Sequence, residues 1–94
     1  MATVSIRIPT PLRSFTAGAH AVSIQGNTVG EVIGSLVNTH EGIGERIITP
    51  AGELRNFVNL FLGDRNIRNL SGMQTPVSDG DVLSIVPAVA GGRP

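Results

Sequence analysis

The 94-residue sequence predicts an α+β fold, a mixed four- to five-stranded sheet wrapped around one main helix. Three observations predict it. A strictly alternating run opens the chain, a single run with helical spacing covers Thr28–Thr39, and a nearly continuous apolar run, Val82–Val86, comes close to the end. One helix covers only one face of a sheet, so the strands must gather on one side of it.

The composition, 40% hydrophobic and 15% charged, is that of an ordinary folded chain and not of a disordered one. This length supports one modest core and not two. No apolar run approaches the ~20 residues that span a bilayer. Met1–Val4 lacks the charged start and apolar block of a secretion signal. A cytoplasmic location without a membrane partner is the expectation. Seven basic residues balance seven acidic ones, which removes the charge that drives most non-specific nucleic-acid binding, so nucleic acid is not an expected partner. All seven basic residues are arginines, at 7, 13, 46, 55, 65, 68 and 93, so no lysine on the chain's own surface can accept an isopeptide bond. The absence of cysteine excludes disulfides, thiolate zinc sites and a cysteine nucleophile. His20 and His40 lack ligand spacing and read as ordinary surface or loop residues. No metal site is expected.

In chain order, Thr3–Ile8 places Val4, Ile6 and Ile8 on one side and Thr3, Ser5 and Arg7 on the other, the pattern of a strand with one face on a core. Pro9-Thr10-Pro11 halts it, and a loop through Leu12–Ala19 leads to a second alternating strand, His20–Gln25. Thr28 stands three residues before Glu31, a capping-box spacing. Val29, Val32, Ile33, Leu36 and Val37 follow on one helical face. Gly30 and Gly34 each weaken this helix by ~1 kcal/mol, and Gly34 is expected to permit close packing on the sheet. Ile43–Ile48 reads as one short helical turn, followed by a chain reversal through Pro50-Ala51-Gly52. Phe57–Leu62 is a third strand, with Val58, Leu60 and Leu62 toward the helix and Phe57 and Phe61 on the opposite face. An apolar outer face on so small a domain is either covered by a loop or used for docking. A turn at Gly63-Asp64 and a short fourth strand, Asn66–Arg68, come next.

Asp79-Gly80-Asp81 is a tight-turn signal, and Val82–Val86 has the continuous apolar character of a central strand. Pro87, with no N–H, ends the ladder. A last strand lying centrally beside the first, in parallel, gives the β-grasp, or ubiquitin-like, fold. Residues 1–87 then form the domain and residues 88–94 a tail. Ala88–Gly92 carries no bulky side chain beyond Val89, and its Gly91-Gly92 pair has a large entropy to lose on ordering, so the tail is expected to be mobile and available to be threaded into a partner.

The run Asp79-Gly80-Asp81-Val82, Pro87 and Gly91-Gly92 resembles the C-terminal signature of the MoaD/ThiS family of ubiquitin-like sulfur carriers. The likeness covers nearly the whole chain, through Val4-Ser5-Ile6, Pro9-Thr10 and Phe57-Val58-Asn59, and Pro87–Gly92 leans toward the branch that serves cysteine biosynthesis. The resemblance implies that the Gly92 carboxylate is adenylated with ATP by a ubiquitin-activating-like adenylyltransferase/sulfurtransferase. Conversion to a thiocarboxylate and delivery of its sulfur to an acceptor follow, here a pyridoxal-phosphate-dependent (PLP-dependent) cysteine synthase. Val89, Ala90 and Gly91 would thread into the partners' active sites. No bound cofactor is implied, since ATP is used by the activating enzyme, and a carrier of this kind needs no catalytic side chain or cysteine of its own.

One departure matters. Arg93-Pro94 follows Gly92, so the resemblance implies hydrolysis of the Gly92–Arg93 bond before activation, as a zinc-dependent JAMM-type metalloprotease does for some relatives with extended tails. If the extension is permanent, carrier activity is lost. Sulfur transfer to molybdopterin, thiamine or a secondary metabolite is the neighbouring expectation. Attachment to lysines of other proteins as a ubiquitin-like modifier is another, and an inert binding module a third. Phe57, Phe61 and Val86 are the candidate docking residues. No paired carboxylates, nucleophile with a base, or phosphate-cradling loop marks an enzyme.

Overall fold

Five strands, β1 (Ala2–Arg7), β2 (Ala21–Gly26), β3 (Val58–Leu62), β4 (Arg65–Asn66) and β5 (Val82–Pro87), form one sheet in the computed structural model, which describes residues 1–87. The order is β2-β1-β5-β3-β4. The last strand is central, parallel to β1 and antiparallel to β3. The main helix, α1 (Val29–Thr39), and a single turn, α2 (Gly44–Ile47), complete the β-grasp arrangement.

Alternation along the strands and helical spacing along α1 meet in one core. Val4, Ile6 and Ile8, Val58 and Leu60, and Leu83 and Ile85 pack beneath Val29, Val32, Ile33 and Leu36, with Ile43, Ile47 and Ile67 closing the ends. Leu62 packs at its edge, as the alternation of β3 requires. Full burial of one such aliphatic side chain contributes ~1.5–3 kcal/mol.

The start of α1 is held as its sequence suggests, with one difference. The Thr28 hydroxyl accepts from the Glu31 N–H at 3.2 Å, but the Glu31 carboxylate reaches back to the N–H of Asn27 at 2.8 Å and not to that of Thr28. Gly34 does not serve close packing: a Cβ there would meet nothing within 4 Å, whereas one on Gly30 would lie 3.0 Å from the Met73 carbonyl. The tight contact of α1 is therefore with the segment before β5.

Three local expectations change. The loop after β1 is a 3-10 helix, Thr10–Thr16, which buries Leu12 and Thr16; the Thr16 hydroxyl lies 2.8 Å from the Ala19 carbonyl. β4 is two residues long, and Ile67–Asn69 turns into a 3-10 segment instead of extending it. The cause is Asn66, whose side chain accepts the Arg68 N–H at 2.9 Å and bends the chain. Phe57 precedes β3 and lies in a turn. The reversal at Pro50-Ala51-Gly52 is present, closed by an Ile48–Leu54 bridge, with Gly52 at φ 85°.

Candidate functional site

The end of the sheet from which the chain leaves β5 is built by two prolines. The Ser5 N–H donates to the Asp81 carbonyl at 3.0 Å, and Ser5, Ile6 and Arg7 run in register with Val82, Leu83 and Ser84. The next two bonds of this parallel ladder would be donated by residue 9 to Ile85 and by residue 87 to residue 9. Both donors are prolines, so β1 and β5 part from each other at this level. The Pro9 carbonyl instead accepts the Leu12 N–H at 2.9 Å, which starts the 3-10 helix.

On the other side of β5, Pro87 costs nothing. The Gly63 N–H donates to the Val82 carbonyl at 2.9 Å, and alternation from that bond puts the Val58–Pro87 pair at a position without exchanged hydrogen bonds. Pro87 is thus the last residue of β5 and not a residue beyond it; its missing N–H matters only toward β1. The opposite end of β5 is anchored by the expected turn. Gly80 has φ 87°, and the Asp79 carboxylate accepts the Thr3 N–H at 2.7 Å.

Among the described residues, no helix lies over the sheet's outer face. Val82 and Val86 of β5 are 37% and 43% exposed, and Phe57 is 50% exposed. The continuous apolar run of β5 had suggested burial on both faces; the strand is central but only Leu83 and Ile85 are in the core, because both helices lie on one side. Phe61 is half-buried. In register, Phe61 lies beside Ser84, which on its other side faces Arg7, and Asn59 lies beside Val86. Of the candidate docking residues, Phe61 and Val86 therefore share the outer face of adjacent strands, and Phe57 lies in the turn just before the strand that holds Phe61.

The sequence reading missed Val82 and the arginines at this end. Arg7 is exposed on the outer face; its place in the alternation of β1 was the available signal. The Arg68 guanidinium donates to the carbonyls of Val58 at 2.7 Å and Arg55 at 3.0 Å, and Arg55 Nε donates to the Glu45 carbonyl at 2.7 Å. No periodicity announces these tertiary contacts. Residues Val89, Ala90, Gly91, Gly92 and Arg93 lie outside the described residues. Among the described residues, no cluster of three His, Asp or Glu side chains is placed to hold a metal. No helix among them is long and apolar enough to cross a membrane.

A β-grasp domain, a mixed five-stranded sheet with its last strand central and one main helix across it, defines a ubiquitin-like protein. Residues 6–92 match the ThiS family, and the chain belongs to it. It is 44% identical over 91 residues to the sulfur carrier protein CysO of Mycobacterium tuberculosis, covering 95% of this chain and 98% of that protein. The structure of a BexX/CysO complex from Amycolatopsis orientalis contains a chain 40% identical to this one, with a TM-score of 0.87 and coverage of 95% of this chain and 99% of that one. The small archaeal modifier protein 1 of Methanosarcina acetivorans superposes with a TM-score of 0.86 at 30% identity, covering 98% of each chain.

Proposed function

We propose that this protein is a sulfur carrier that holds sulfur as a thiocarboxylate on Gly92. The observation that carries the reading is the near full-length likeness to a sulfur carrier, joined to a central strand that ends at Pro87, five residues before Gly92. The sequence of events is hydrolysis of the Gly92–Arg93 bond by a JAMM-type metalloprotease, ATP-dependent adenylation of the freed Gly92 carboxylate by a ubiquitin-activating-like adenylyltransferase, and replacement of AMP by sulfide. The sulfur then passes to an acceptor, a PLP-dependent cysteine synthase. The carrier contributes no catalytic side chain. Its part is to present an acyl terminus on a run of small residues that fits a narrow partner channel. Phe57, Phe61 and Val86 dock against the partner, since an exposed apolar face next to the root of the tail is placed to bind while the tail is engaged.

Intact mass of the protein recovered from its native cells tests the reading. The expected species ends at Gly92 with one carboxylate oxygen replaced by sulfur. A population that retains Arg93-Pro94 under active sulfur demand overturns it.

A second reading, attachment through Gly92 to lysines of other proteins, is supported by the likeness to an archaeal modifier protein. The same cells distinguish it, because the modifier leaves isopeptide remnants of this chain on other proteins and the carrier leaves none.

A further inference from the structure

We propose that the β2 edge of the sheet pairs with the same edge of a second copy of this chain, antiparallel about Ser23, to make one continuous sheet. This association goes beyond the carrier role and does not depend on it. The two edges of the sheet differ. At one, β4 is two residues long and carries Arg65, and Arg68 caps the Val58 carbonyl where β4 has run out; shortness and charge are what keep an edge from pairing. The other edge, β2, runs Ala21-Val22-Ser23-Ile24-Gln25-Gly26 with no charged side chain and no proline. Its register with β1 is unbroken, so no bulge twists it away.

The bonds of β1 decide which groups this edge offers. The Thr3 N–H donates to the Asp79 carboxylate at 2.7 Å and the Ser5 N–H to the Asp81 carbonyl at 3.0 Å, both toward β5, whereas the Ile8 N–H donates to the His20 carbonyl at 2.9 Å, toward β2. Alternation from these bonds makes Val4–Ile24 and Ile6–Val22 the exchanging pairs of β1 and β2, and turns the N–H and C=O of Ala21, Ser23 and Gln25 away from β1. Among the described residues, no hydrogen bond reaches these groups. They are self-complementary about Ser23. Ala21 meets Gln25 of the second copy and Ser23 meets its own counterpart, each pair exchanging two bonds. Between them, on the helix side, Val22 lies beside Ile24 of the second copy; both are half-buried against the core, and the pairing covers the aliphatic surface that α1 leaves open. A formal net charge of zero lets two copies approach without the repulsion that keeps charged domains apart. The two β5 strands then run in opposite directions, roughly 24 Å apart across the joined sheet, and each Pro87 lies away from the joint. A pairing of two six-residue strands buries less than the ~1,200 Å² of a stable complex, so the association is weak, with a Kd of roughly 100 µM.

The test is sedimentation of the full chain from about 20 µM to about 1 mM, with amide hydrogen exchange read by NMR at both ends of that range. The weight-average mass is expected to rise toward that of two chains. Exchange at the outward amides of Ala21, Ser23 and Gln25 is expected to slow about fourfold over the same range, while the amides of Val22 and Ile24, already bonded to β1, do not change. Ser23→Pro removes the central donor without touching a bond to β1 and is expected to weaken association by at least about tenfold. Should the proline disturb β2, Ser23→Lys places like charges opposite each other at an exposed position and is expected to weaken association about fivefold at roughly 20 mM salt, with partial recovery at roughly 500 mM. A chain that stays monomeric at about 1 mM overturns the proposal. So does association that leaves the three outward amides unchanged and protects Phe57, Phe61 and Val86 instead, or dimerisation equally strong in a folded Ser23→Lys variant.

Discussion

The guanidinium of Arg68 donates to the carbonyl of Val58 at 2.7 Å, where β4 has run out and, among the described residues, no strand pairs with that edge of β3. Val58 faces Pro87 at a position without exchanged hydrogen bonds, so its carbonyl points away from β5 and needs a donor on this side. One side chain thereby completes the sheet next to the point at which β5 ends.

Arg68→Ala should therefore destabilise the domain by ~1–2 kcal/mol, since a charge-assisted bond to a carbonyl is lost at a half-solvated edge. Urea unfolding measures it. Arg68→Lys should recover only part of the loss, because both bonds are donated by the terminal Nη2 and the shorter lysine side chain ends short of that position. A variant as stable as the parent would show that water caps this edge equally well.

Two helical glycines should respond in opposite directions. Gly34→Ala adds a methyl group to open space in α1 and should stabilise by ~0.5–1 kcal/mol through helix propensity. Gly44→Ala places a Cβ 2.7 Å from a methyl of Val37, whose branched side chain has little freedom to move aside. Its expected cost is ~1–3 kcal/mol. Thermal unfolding of the pair gives both signs in one experiment.

At the helix start, Thr28→Ala should cost ~1 kcal/mol by leaving the Glu31 N–H without its cap. Glu31→Ala removes both the carboxylate that holds Asn27 and a favourable charge in the first turn. The two losses should be less than additive in a double-mutant cycle, because the residues serve one network. Strict additivity would mean that the two hydrogen bonds act separately.

Phe57→Asp tests the apolar face without touching the core. Its side chain is half exposed and outside the buried cluster, so unfolding should change by no more than ~0.5 kcal/mol. Binding to the adenylating enzyme, followed by calorimetry, should weaken at least about tenfold if this ring is a docking anchor. An unaltered affinity removes Phe57 from the interface.

A chain that stops at Ala90 separates carrier function from folding. The shortened chain keeps every core residue of the described structure, from Val4 to Ile85, so its unfolding midpoint should match that of the longer chain. Thiocarboxylate formation should fall to zero, because the acyl terminus that carries the sulfur has been removed. Retained activity would leave Gly92 with no part in it.

Much of the fold was legible because its signals are periodic. Val4, Ile6 and Ile8 repeat every second residue, Val29, Val32, Ile33 and Leu36 follow one helical face, and the buried sets in the structure are these. The Thr28–Glu31 spacing foretold the helix start, though the carboxylate chose Asn27. The illegible parts are those in which one polar side chain redirects the backbone. Asn66 ends β4 after two residues by accepting the Arg68 N–H, and Thr16 stabilises a 3-10 helix where a loop was expected. Local composition does not reveal which of several nearby backbone groups such a side chain will bind.

For the candidate site, residue types alone named the candidates: the Gly91-Gly92 pair followed by Arg93, the absence of cysteine and lysine, and the apolar Phe57, Phe61 and Val86. The surroundings of Phe57, Phe61 and Val86 came from the pairing of distant strands. Pairing brought Pro9 and Pro87 to the same level of the parallel ladder, so that β1 and β5 separate there, and it set the Arg68 guanidinium on the Val58 carbonyl opposite Pro87 and Arg7 beside Ser84 on the outer face. Residue type is local, and periodicity reports which side of an element is apolar. Register between distant strands is set by pairing across the sheet, and it is register that decides which side chains become neighbours.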